Sequence, residues 1–140
     1  MIEPKTVLKQ GQTPGRSLRV LVVEDNVDVG ESLSMLLRLY GHEVQWARNG
    51  PTALEMASAS RPDVVLLDIG LPGMDGCQVA KRLRERPEFK DVMMCAMTGY
   101  TPSEADRRRQ HETGFDHYYV KPVNPAKLLE LFKKVRPCSP

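Results

Sequence analysis

The sequence predicts an α/β domain in which a five-stranded parallel sheet is doubly wound, with helices on both faces. Three observations carry this reading. Five apolar runs of strand length alternate with segments of helical period. The connections between them are short. Most of the strand runs are near-continuously apolar instead of alternating, as in strands covered on both faces. Right-handed crossovers then leave few possible topologies.

Bulk properties narrow the class. At 140 residues the chain is one domain with room for a real core. With 41% hydrophobic and 27% charged residues it reads as globular, not disordered. A net charge of +2 is too small to point to nucleic acid. No apolar run approaches a membrane span and no signal-peptide core opens the chain, so a cytoplasmic protein is expected. Cys77, Cys95 and Cys138 have no metal-like spacing and read as reduced thiols.

Residues 1–17 hold Pro4, Gly11, Pro14 and Gly15 among polar residues and read as a linker or tail. The folded domain is expected over 18–136, with a short tail at 137–140. Leu18 to Val23 is the first strand and ends in Glu24-Asp25-Asn26. A helix follows whose inward face is expected to carry Val29, Leu33, Leu36, Leu37 and Tyr40. Gly41 stands where a left-handed cap belongs.

Glu43 to Ala47 alternates as a strand near the sheet edge would. Gly50-Pro51 opens the second helix, with Ala53, Leu54 and Ala57 inward. Arg61-Pro62-Asp63 then returns the chain to Val64-Val65-Leu66-Leu67-Asp68, a strand buried on both faces. Glycine and proline take over at once in Gly70-Leu71-Pro72-Gly73. The third helix runs from about Asp75 to Arg84, with Val79, Ala80 and Leu83 inward and Pro87 as its stop.

Val92 to Met97 is the fourth strand, ending at Thr98-Gly99. Thr101-Pro102-Ser103-Glu104 is a capping box. The fourth helix that it opens has Arg107, Arg108 and Arg109 in its middle and little to bury. His117 to Val120 is the fifth strand, ending at Lys121-Pro122. Asn124-Pro125 caps the last helix, with Leu128, Leu131, Phe132 and Val135 inward. There is no internal repeat.

Four strands thus end in polar or reactive side chains: Glu24-Asp25, Asp68, Thr98 and Lys121. A parallel sheet opens all four ends on one edge, where α/β sheets place their ligands. Adjacent carboxylates repel unless a cation lies between them, and hard oxygen ligands suit Mg2+. A lysine and a hydroxyl opposite are what the oxygens of a phosphoryl group need. One carboxylate remains free as a nucleophile to form an acyl phosphate. Taken singly, Asp25 and Asp68 read as turn caps, Lys121 as a surface lysine and Thr98 as an ordinary hydroxyl. Their joint placement favours the chemical reading.

At these residues the sequence resembles the receiver domain of bacterial two-component response regulators. The matching stretches are residues 22–26, 66–76, Met97-Thr98-Gly99 and Tyr119-Val120-Lys121-Pro122, and the resemblance spans about Leu18 to Val135. It implies a flavodoxin-like (βα)5 fold with strand order 2-1-3-4-5. It implies that Asp68 accepts a phosphoryl group from a histidine kinase or histidine phosphotransfer protein. Asp25, Asp68 and the backbone carbonyl of Gly70 would hold Mg2+, with Glu24 assisting. Lys121 and Thr98 would contact the phosphoryl group, Tyr118 would be the aromatic switch, and Lys121-Pro122 would be cis. The domain would be regulatory, not an enzyme with a separate substrate. The wording of 68–76 and the short tail also resemble receivers at the C-termini of hybrid kinases.

Gly70 and Gly99 carry no side chains, so open access to Asp68 for water and small phosphodonors is expected. Signal output is expected through the face formed by the fourth helix, fifth strand and last helix, which bears His117, Lys127, Lys133 and Lys134. That face would meet an acidic partner or pair in a homodimer. No direct nucleic-acid contact is expected, because the three arginines read as a solvated helix face. A flavin protein of the same topology needs a phosphate-cradling loop where Glu24-Asp25-Asn26 stands, and that reading fails. An aspartyl-phosphate hydrolase needs a second acid where Gly70 stands. The remaining alternative is a receiver-shaped interaction module without phosphorylation.

Overall fold

Five strands, β1 (Arg19–Val23), β2 (Glu43–Ala47), β3 (Val64–Asp68), β4 (Met93–Thr98) and β5 (His117–Val120), form one parallel sheet in the order β2-β1-β3-β4-β5. The structure is a computed structural model that describes residues 17–71, 73–99, 103–104, 108 and 112–135. Four helices are described end to end: α1 (Val27–Leu39), α2 (Gly50–Ser60), α3 (Gly76–Arg84) and α4 (Pro125–Phe132). Between β4 and β5, Glu104, Arg108, Glu112 and Thr113 are helical, and the first three are exposed. Tyr100, the cap at Thr101 and Pro102, Arg107, Arg109, Cys138, residues 1–16 of the linker expected at 1–17, and the tail expected at 137–140 fall outside the described residues.

The sheet separates two apolar layers because neighbouring strand residues point to opposite faces. Leu21, Val23, Val65, Leu67, Met94 and Ala96 face α2 and α3, where Ala53, Ala57, Val79, Ala80 and Leu83 meet them with Phe89 and Phe115. Val20, Val22, Val64, Leu66, Cys95 and Met97 face α1 and α4, against Leu37, Leu128, Leu131 and Phe132. The five residues of β3 are all buried, as a central strand between two layers requires. Each fully buried leucine or valine in these layers contributes about 1.5–3 kcal/mol.

Local chemistry sets the helix ends. Asn26, Asn49, Asp75 and Asn124 cap the four helices with side-chain oxygens, and Asp75 forms a reciprocal capping box with Gln78. Gly41 has φ of 94° after α1, as expected of a left-handed cap. Pro87 does not simply stop α3. The helix ends at Arg84, and Pro87 opens a separate 3-10 turn, Pro87–Phe89.

The buried face of α1 differs from the expected one. The inward stripe expected on α1 included Val29 and Tyr40, yet both are exposed. The buried positions are Gly30, Ser34 and Leu37, with Leu33 and Leu36 half-buried. The cause is Trp46 on β2. A Cβ on Gly30 would lie 2.2 Å from its Cε2, so the helix rotates its bare glycine onto the indole.

Candidate functional site

Glu24 follows β1, Asp68 ends β3, Thr98 ends β4 and Lys121 follows β5, so the parallel sheet delivers all four to its carboxyl edge. Asp68 pairs in register with Met97, and Thr98 with Val120. Asp25 lies beside Glu24 on the exposed side.

Glu24 is fully buried, and β2 and α1 hold it on several sides. Its N–H donates to the Ala47 carbonyl at 3.0 Å. Its own carbonyl accepts the Trp46 indole N–H at 2.8 Å. Oε2 accepts the Asn26 N–H at 3.1 Å, and Oε1 lies 2.7 Å from Lys121 Nζ. Burial lifts the Glu24 carboxyl above its ordinary range, although Lys121 and the Asn26 N–H pull the other way.

Asp68 is 7% exposed. Its Oδ1 accepts the Gly70 N–H at 2.9 Å, and its Oδ2 accepts from Lys121 Nζ at 2.9 Å. Burial alone would push the Lys121 ammonium down, but its contacts with Glu24 and Asp68 outweigh this and hold it above its usual value. The lysine is therefore a committed cation between two acids. Gly76, the first residue of α3, packs directly on this strand end: a Cβ there would stand 2.5 Å from the Asp68 carbonyl oxygen.

Carboxylate oxygens of Glu24, Asp25 and Asp68 all lie within 4.8 Å of one another. Three hard oxygen donors from two strand ends, with an open solvent side at Asp25, fit a Mg2+ ion that keeps several waters. Thr98 is 2% exposed, and its carbonyl accepts the Lys121 N–H at 2.7 Å. The Lys121-Pro122 bond is cis, as the resemblance implied. Tyr118 pairs with Ala96 and is half-buried against the layer that contains α2 and α3. Tyr119 packs on the opposite layer, and burial raises its phenol to about 12.

The acids, the lysine and the hydroxyl thus converge at the carboxyl edge, and Tyr118 lies opposite Ala96, two residues before Thr98 on β4. Sequence reading missed Trp46, whose indole N–H supports the backbone of Glu24. The available signal was Gly30, a glycine in a helix interior with no capping role. A cleft of about 390 Å³ lies at the opposite edge of the sheet, lined by Arg19, Glu43, Ser60 and Pro62 among others.

Comparison with known proteins agrees with this geometry. A family model described as response regulator receiver domain matches residues 20–133. The transcriptional regulatory protein PrrA of Mycobacterium tuberculosis is 43% identical over 117 residues, covering 84% of this chain and 49% of PrrA. The chain therefore spans about half the length of that relative. The chemotaxis protein CheY4 of Vibrio cholerae has a similar fold, with a TM-score of 0.80 and 30% identity over 86% of this chain and 99% of CheY4. The receiver domain of sensor histidine kinase PA1611 from Pseudomonas aeruginosa was solved with magnesium coordinated in its active-site cleft. It is similar at a TM-score of 0.75 and 27% identity, over 84% of this chain and 96% of that one.

Proposed function

The chain belongs to the response regulator receiver domain family, and on that premise we propose that it accepts a phosphoryl group on Asp68 from a histidine kinase or histidine phosphotransfer protein. The observation that carries this is the meeting of Glu24, Asp25 and Asp68 within 4.8 Å, with Lys121 Nζ 2.9 Å from Asp68 Oδ2. A carboxylate oxygen of Asp68 attacks phosphorus, forming an O–P bond as the donor's N–P bond breaks. The electron pair of that bond returns to the donor imidazole. Lys121 supplies positive charge for the phosphoryl oxygens, and the Gly70 N–H orients the Asp68 carboxylate.

Glu24, Asp25 and Asp68, with the Gly70 carbonyl, would hold Mg2+, which when bound offsets negative charge shared by the carboxylates and the incoming phosphoryl group. Thr98 is the hydroxyl that moves to the new oxygens, and Tyr118 turns as it does so. That shift changes the exposed face made by β5, α4 and the helical residues between β4 and β5. Arg108, His117, Lys127, Lys133 and Lys134 are all exposed there, which supports an acidic partner or a second copy of the chain as the listener. The phosphorylated unit is residues 18–136, a regulatory domain acting in the cytoplasm.

The deciding experiment is intact mass after incubation with acetyl phosphate and Mg2+, beside an Asp68→Asn control. A gain of about 80 Da, one phosphoryl group, that needs Mg2+ and is absent from the control is the expected result. An unshifted wild-type mass, with acetyl phosphate and with a phosphorylated histidine phosphotransfer protein alike, would leave the interaction-module reading in its place.

A further inference from the structure

The acids Glu24 and Asp25 follow β1 on a loop that the edge strand β2 reaches through the Trp46 side chain and the Ala47 carbonyl. Trp46 pairs in register with Val22 and is half-buried. Its indole N–H reaches the Glu24 carbonyl at 2.8 Å, while the next residue, Ala47, accepts the Glu24 N–H at 3.0 Å. Both backbone polar groups of Glu24 are thereby held by β2. The indole ring in turn rests on α1 at Gly30, where no Cβ fits. The same helix is capped by Asn26, whose N–H donates to Glu24 Oε2. Edge strand, helix and acid loop form one closed circuit.

We propose that Trp46 is a positioning residue for the Mg2+ site, acting through the backbone of Glu24 to hold the Glu24-Asp25 carboxylates against Asp68. This deepens the reading under Proposed function and rests on it. The physical reason is that ligand oxygens on a short loop need an outer support to stay in one arrangement before the ion arrives. Without the indole donor, the Glu24 carbonyl loses a hydrogen bond and the loop regains freedom. Sequence pattern cannot place this contact, since a tryptophan on an edge strand ordinarily only covers the sheet.

The test is Mg2+ binding by calorimetry, with the chain's single tryptophan as a second reporter. In the wild-type protein, Mg2+ changes the Trp46 emission with the same midpoint as the calorimetric Kd. Trp46→Phe keeps an aromatic ring against Gly30 but has no N–H, and it binds Mg2+ about three- to tenfold more weakly, the size of one neutral hydrogen bond. Gly30→Ala displaces the indole and weakens both folding and Mg2+ binding. The double variant Gly30→Ala/Trp46→Leu has room for the new Cβ, so it regains thermal stability over Gly30→Ala alone but not Mg2+ affinity.

The outcomes separate cleanly. If the wild-type protein does not bind Mg2+, the reading under Proposed function falls and this one with it. If it binds, and Trp46→Phe binds within twofold of it, the positioning role is overturned while the Mg2+ site stands. Recovery of Mg2+ affinity together with stability in the double variant would likewise reduce Trp46 to packing.

Discussion

Lys121 Nζ and Asp68 Oδ2 are 53 residues apart in the chain and 2.9 Å apart in the fold. The same ammonium lies 2.7 Å from Glu24 Oε1, a carboxylate with no exposure to solvent. Removing the lysine's charge therefore leaves a buried acid uncompensated. Lys121→Met is expected to lower stability by about 3 kcal/mol at neutral pH without divalent cations. Added Mg2+ restores part of this loss, because the ion supplies the missing charge. Urea unfolding with and without Mg2+ measures both effects; an unchanged midpoint in the metal-free variant would mean that Glu24 needs no cation.

Gly70 sets how open Asp68 is. A Cβ at this position would lie 3.6 Å from Asp68 Oδ1, an ordinary contact, so the fold admits a side chain there. Gly70→Arg and Gly70→Asn should fold normally yet crowd the carboxylate. Once phosphorylated, the wild-type protein is expected to lose its phosphoryl group faster than either variant, because water reaches it freely. Decay followed by intact mass decides this, and slower decay in the wild type would refute open access.

His42 makes stability depend on pH. Its Nδ1 accepts the Leu18 N–H at 3.1 Å, and its ring meets Phe132 edge-on at 5.1 Å. Both contacts suit a neutral imidazole, and burial lowers its pKa below the ordinary 6.5. The unfolded chain then binds the proton more readily than the folded one. Stability is full above pH 6.5 and is lost as the pH falls toward the lowered folded value. His42→Phe should flatten the urea midpoint between about pH 5 and 7 relative to the wild type. An equally steep profile in the variant would assign the dependence to another group.

Where a local rule governs, the sequence was readable. Asn124-Pro125 starts α4, Gly41 ends α1, and β3 runs from Val64 to its terminal Asp68 as its unbroken apolar pattern required. The convergence of Glu24, Asp25, Asp68, Thr98 and Lys121 at one edge follows from parallel strands alone. Strand order is different, since apolar runs do not encode their neighbours. It came from the family resemblance, and the sheet agrees.

Contacts between elements distant in the chain were not readable. Arg84 is the last residue of α3. In the fold it donates to the carbonyls of Gly114, Phe89 and Lys90 and to Asp116 Oδ2, which also accepts the Met94 N–H. That clasp holds the start of β5 to β4, at the end of the strand opposite Lys121.

By itself, then, the sequence determined the alternation of elements, the buried strands and the identity of the acids, lysine and hydroxyl, because periodicity and capping act within a few residues. Only the tertiary structure decided which face of α1 turns inward and what supports Glu24. Those outcomes depend on the volume of one indole meeting one missing Cβ, and steric fit between segments leaves no periodic trace in either of them.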